Sequence, residues 1–353
     1  MQSPSHTDIS VDNLPRSIPA FGLIKDELVR VRKLIDEQVA DCPDEAWLSR
    51  LSGQLSNCGG KMLRPRLLLL SGALFGAVTD KHIRVAAIIE MIHNAALLHD
   101  DVIDEGEQRR GGPTVNNLWG NESAVLLGDF LLSKVFEMCA DLEPEVTGII
   151  AGATVGTCRG ELRQVIQRHN WQLSEAEYIE IITEKTAALF GSCCLLGGLM
   201  SGASEYEVCA LADFGLNLGI AFQITDDLLD ITGDESKAGK TLGSDVDKNK
   251  PTLPVIHLLR TVDDGERNAV IDLFSQACST VGHGEKSQCS MRKARYNRDT
   301  IKEMLRSYGS LEYAHNRAQE FVTKAIAALA ELKDSDAKNA LLEAARFAGR
   351  PVI

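Results

Sequence analysis

Two copies of the pattern D-D-x-x-D constrain this chain more than any other feature. Asp100-Asp101-Val102-Ile103-Asp104 and Asp226-Asp227-Leu228-Leu229-Asp230 lie 126 residues apart, and each ends an apolar run with helical periodicity. Carboxylates at i and i+4 share a helix face, where like charges repel. Such a face persists only if something positive sits on it. Two such faces brought together make an oxygen-rich site for hard divalent cations. Mg²⁺ suits it, since Mg²⁺ takes one or two carboxylates plus substrate phosphates. A solvated acidic helix end is the bland alternative, but the apolar flanks make these poor surface helices.

Helical periodicity dominates the remaining sequence and strand alternation is nearly absent. The pattern predicts helices over 21–41, 44–56, 62–77, 81–105, 119–140, 144–169, 174–200, 204–234, 251–261, 264–280, 298–307, 310–332 and 335–348. Ser174 with Glu177 forms a capping-box pattern, and Asp334 to Asp336 mark the last start. Residues 1–20 are polar with prolines and read as a disordered lead-in; 21–353 read as one all-α domain, a single large helical bundle, because no linker divides them. The polar stretch 282–297 reads as a surface excursion.

Hydrophobic residues make up 44% of the 353, enough for a sizeable core, and aromatics only 5%, so that core is aliphatic. A net charge of −13 argues against nucleic acid or an anionic membrane as a general partner. The nine cysteines are an odd number with no CxxC spacing, and the N-terminus lacks the layout of a signal peptide. Both point to reduced thiols in a cytoplasm. No apolar run reaches the length of an uninterrupted membrane span.

Around the acidic clusters the sequence places cations and small residues. Asp100 and Asp104 are about 40° apart on a helical wheel, and His93, seven residues upstream, shares their face. Asp101 points aside, as a supporting group. The upstream run Ile88-Ile89-Glu90-Met91-Ile92-His93-Asn94-Ala95-Ala96 is apolar and then small, so a charged mouth stands over an apolar shaft. Arg109-Arg110 follow the first cluster, and Gly59-Gly60-Lys61-Met62-Leu63-Arg64 puts positive charge ahead of a helix, where phosphate binds well. Before the second cluster, Gly215, Gly219, Gln223 and the aspartates form one stripe, with glycines for close backbone approach or simply for helix packing. Glu184-Lys185-Thr186 interrupts an apolar run, and Lys240, Asp245, Lys248 and Lys250 lie in the loop after the second cluster, as a lid or as solvated charge.

The motifs GGKMLRP, IHNAALLHDDVIDEGEQRRGGPTVNNLWGN, AVLLGDFLLSKVFE, EKTAALF, FGLNLGIAFQITDDLLDITGD and PTLP resemble the trans-type polyprenyl diphosphate synthases, strongly over residues 55–256 and more weakly to LLEAARFAGRP. The resemblance implies the isoprenoid synthase fold, with a central apolar cavity, and condensation of isopentenyl diphosphate with an allylic diphosphate. By the same resemblance, Lys61, Arg64, His93 and Arg110 hold isopentenyl diphosphate, while Arg109 and Lys250 meet the allylic diphosphate. Asp100 and Asp104 bind Mg²⁺ from one side, and Asp226 and Asp230 from the other. Lys185, Thr186 and Gln223 line the allylic site. The family usually carries Gly-Lys where this chain has Asn249-Lys250, which puts the loop's conformation in question.

The small residues Ala95 and Ala96 leave the shaft open above Asp100, with Ile92, Ile89 and Val85 as deeper layers. The expectation is a long product of roughly six or more isoprene units. A homodimer is also implied, with membrane contact only in passing at product release; the apolar helix near 119–140 is a candidate interface, though core burial explains its pattern as well. A short-chain synthase and a non-catalytic subunit of a heteromeric synthase are the rivals. A terpene cyclase is disfavoured by the second D-D-x-x-D, and a non-catalytic subunit by the survival of all six carboxylates.

Overall fold

The computed structural model describes residues 19–40, 62–109, 112–233, 244–278 and 299–349. After a 3₁₀ segment, Pro19–Ile24, the chain forms α1 (Lys25–Val39), α2 (Leu63–Ala73) and α3 (Asp80–Ile103). A two-residue ribbon pairs β1 (Gln108–Arg109) antiparallel with β2 (Gly112–Pro113). Then come α4 (Val115–Trp119), α5 (Asn121–Cys139), α6 (Pro144–Ile166) and α7 (Glu175–Ile182). A π-helical turn, Thr183–Ala187, leads into α8 (Ala188–Met200) and α9 (Glu205–Thr232). The rest is α10 (Ser244–Asp247), α11 (Leu253–Thr261), α12 (Asp264–Cys278), α13 (299–307), α14 (Ser310–Ala328) and α15 (Asp336–Ala348).

The all-α expectation holds. The helix expected over 44–56, the stretch 282–297, the Gly59–Lys61 turn, Arg110 and Lys240 lie outside the described residues. Two boundaries differ for local reasons. The run 119–140 is split at Gly120, whose φ of 85° ends α4 and starts α5. The run 174–200 is broken by the π turn, at the Glu184-Lys185-Thr186 interruption. Ser174 and Glu177 do form a capping box, as do Ser204 and Glu207 on α9, and Ser335 caps α15.

At the centre is α9, packed along α8 and α14, while α2 lies on α8 and α3 on α5. By length and composition α9 passes for a membrane span, yet here it is a core helix whose last turns carry the second acidic cluster. Close approach is built into it: a Cβ on Gly219 would lie 2.5 Å from the Ala187 Cα. That contact presses the π turn against the helix bearing Asp226.

Candidate active site

The two acidic clusters end α3 and α9, and two chains of polar contacts join them. The first runs through the π turn. Lys185 Nζ lies 3.9 Å from Asp100 Oδ2, and the next residue, Thr186, donates to Gln223 Oε1 at 2.7 Å. Gln223 Nε2 in turn donates to Asp227 Oδ1 at 2.8 Å, and the Tyr178 hydroxyl donates to the other oxygen at 2.6 Å. The second chain runs through α10 and the loop after it. Lys250 Nζ donates to Asp104 Oδ2 at 2.8 Å and lies 3.7 Å from Asp245, whose backbone N–H donates to Asp230 Oδ2 at 3.1 Å. The two faces expected from sequence therefore belong to one site.

The π turn is what points Lys185 and Thr186 to different walls of it. Its extra residue per turn shifts the side chains relative to a regular helix, and such turns occur often at functional sites. Lys185 is further held by Glu161 and by Gln164 Oε1, 2.8 Å away, both on α6. Gly160 makes this possible, since a Cβ there would come within 2.3 Å of the Lys185 backbone N.

Charge is crowded at the mouth. Asp100 is pushed up to about 6 by burial, with Glu161 and Asp104 adding repulsion against the pull of Lys185. Asp227 is pushed up to about 8, again by burial and then by Asp245. Burial also disfavours charge on Asp104, but Lys250 and Lys248 outweigh it and hold the carboxyl down at about 2. Asp101 is the supporting group expected: Arg109 Nε donates to both its oxygens, at 2.9 and 3.0 Å, and Arg109 Nη2 donates at 2.7 Å. Such a fork fixes the guanidinium beside the cluster.

His93 and Ala96 are partly open on α3, while Ala95 is fully buried. The deeper layers Ile92, Ile89 and Val85 are buried as well. Arg64 stacks on the Phe190 ring, its Cζ 4.7 Å from the centroid. Lys61 and Arg110 lie outside the described residues. Glu161, Gln164, Arg168 and Tyr178 escaped the sequence reading; the acid and amide three apart after Gly160, one helix face beside a close approach, were the available signal.

The loop question raised by Asn249 has a conformational answer. Asn249 has φ 52°, in the left-handed region that glycine enters freely and asparagine tolerates best among the rest. Asn249 thus adopts a conformation that glycine also allows, and the next residue, Lys250, reaches Asp104.

A family model described as polyprenyl synthetase matches residues 45–291. The chain belongs to that family. It is a prenyltransferase of the polyprenyl synthetases. It is 37% identical over 318 residues to a short chain isoprenyl diphosphate synthase of Methanothermobacter thermautotrophicus, covering 89% of this chain and 93% of that one. It is 33% identical over 327 residues to the octaprenyl diphosphate synthase of Escherichia coli, covering 92% and 96%. The polyprenyl synthase of Caulobacter crescentus, solved with calcium and isoprenyl diphosphate, superposes with a TM-score of 0.83 at 34% identity, covering 95% and 99%.

Proposed function

We propose that this polyprenyl synthetase condenses isopentenyl diphosphate with an allylic diphosphate and releases diphosphate, giving a long-chain all-trans product. The observation that carries the reading is the joining of Asp100–Asp104 to Asp226–Asp230 through lysine side chains and polar bridges rather than through a nucleophile and base.

Asp100 and Asp104 on one side, and Asp226 and Asp230 on the other, are the residues to hold Mg²⁺. The donor set fits. At Asp100, burial and the neighbouring Glu161 and Asp104 carboxylates disfavour the charged form, a penalty that a divalent cation relieves. Bound Mg²⁺ supplies charge stabilisation to the departing diphosphate.

The protein's own groups do the rest. Arg109 and Lys250 hold the allylic diphosphate as its C–O bond breaks and the electron pair leaves with it. Lys185, Thr186 and Gln223 line the allylic cation that remains and keep it from water. Lys61, Arg64, His93 and Arg110 hold isopentenyl diphosphate so that its double bond attacks that cation. The proton then lost passes to the released diphosphate, so no protein base is assigned. Electrostatic stabilisation of the leaving group is the main contribution.

Chain length is set above Asp100 by Ala96, with Ala95 behind it. A short product is the second reading, favoured by the burial of Ile92, Ile89 and Val85 and by the short-chain relative. Sizing the product made from farnesyl diphosphate decides between them: a stop at geranylgeranyl removes the long-chain reading.

A homodimer in the cytoplasm completes the proposal. Phe136 on α5 is 73% exposed, and Ile166 on α6 is 74% exposed beside Leu162 and Val155. On an ideal wheel those three α6 residues fall within about 40°. An apolar stripe of this kind marks an association surface. Sedimentation of Ile166→Glu should give monomers, whereas an unchanged species would place the interface elsewhere.

A further inference from the structure

Asp104 is gripped by more positive charge than one carboxylate requires. Arg168 Nη2 donates to its Oδ1 at 2.9 Å, and Lys248 Nζ lies 3.5 Å from the same oxygen. Lys250 takes Oδ2 at 2.8 Å. Lys250 is shared with Asp245, but among the described residues Arg168 and Lys248 reach no other carboxylate. These cations come from two loops, after α6 and after α10. The loops are tied by the His169 N–H donating to the Asn249 carbonyl at 3.0 Å. Each also carries a left-handed residue next to a gripping cation, His169 with φ 64° and Asn249 with φ 52°. The grip is therefore built into the backbone.

Three cations already surround the two oxygens of Asp104, so a metal ion ligated there competes with them for its lone pairs and its charge. A displaced guanidinium or ammonium at the mouth is suited to a diphosphate oxygen, and the planar fork of arginine to two. We propose that Arg168 and Lys248 compete with the divalent metal for Asp104 and pass to the incoming diphosphate, so that metal entry is coupled to diphosphate binding. The inference rests on the reading of Asp104 as a metal ligand.

Mn²⁺ binding, followed by electron paramagnetic resonance on the purified full chain with and without inorganic diphosphate, tests it. Wild-type protein should bind Mn²⁺ at least about tenfold more tightly with diphosphate. Arg168→Gln and Lys248→Gln should each bind Mn²⁺ alone about fivefold more tightly and show a smaller diphosphate enhancement. Arg168→Lys, which keeps the charge, should retain most of the coupling. Unchanged Mn²⁺ affinities in both Gln variants, or weaker binding without diphosphate, overturn the proposal while the metal site stands. Wild-type protein that binds no Mn²⁺ in either condition overturns the metal reading itself.

Discussion

Lys250 donates to Asp104 across 146 residues of chain, and the same ammonium lies 3.7 Å from Asp245. One lysine thus ties the end of α3 to α10 and the loop that follows it. Burial works against its charge, but Asp245 and Asp104 hold its pKa above the ordinary value. Lys250→Met removes both contacts. It should lower kcat/KM by about 10²-fold, the scale of losing one preorganised charge donor. Steady-state kinetics with varied allylic diphosphate will measure this, and an unchanged value would detach Lys250 from the diphosphate.

The close pass of α6 over the π turn gives a second prediction. A methyl on Gly160 collides with the Lys185 backbone, not with a flexible side chain. Gly160→Ala should cost about 1–3 kcal/mol of stability, the usual range for overpacking. It should also lower kcat, by moving Lys185 away from Asp100. Thermal melts and turnover on the same preparation separate the two effects.

Stability should also depend on pH through a residue far from the mouth. Fully buried His82 accepts from the Thr79 N–H at Nδ1, 3.2 Å, so the proton is on Nε2, which faces the Gly197 carbonyl at 3.2 Å. Burial, chiefly, lowers its pKa. The unfolded chain therefore takes up a proton first, from about pH 6.5 downward. The contribution of neutral His82 is complete above that value and is lost as pH falls toward the folded pKa. Denaturant melts of wild type should lose stability over this window, and His82→Gln should show a flatter slope.

Ala96 stands one turn above Asp100 and is partly open, whereas Ala95 faces the core. Ala96→Phe should shorten the product, seen by chromatography of the dephosphorylated prenols. An unchanged length would remove Ala96 from the wall of the shaft.

Much of this site was legible in the sequence because its carboxylates repeat one pattern at one spacing. Asp100, Asp104, Asp226 and Asp230 announce themselves, and so does the Lys185-Thr186 interruption, which appears as a π turn. Glu161 and Gln164 were marked only by their spacing after Gly160, and Arg168 not at all, because its partner Asp104 lies 64 residues away in sequence. Asn249 was visible only as a departure; its left-handed backbone explains it, and that is a property of φ rather than of side-chain chemistry. The split at Gly120 was hidden for the same reason, since one glycine inside an apolar run does not reveal its φ.

The most direct test of the central claim is product formation by the purified chain from farnesyl diphosphate, isopentenyl diphosphate and Mg²⁺. The account predicts Mg²⁺-dependent release of diphosphate and an all-trans product longer than geranylgeranyl, both abolished in Asp100→Asn. No condensation, or full activity in Asp100→Asn, would contradict it.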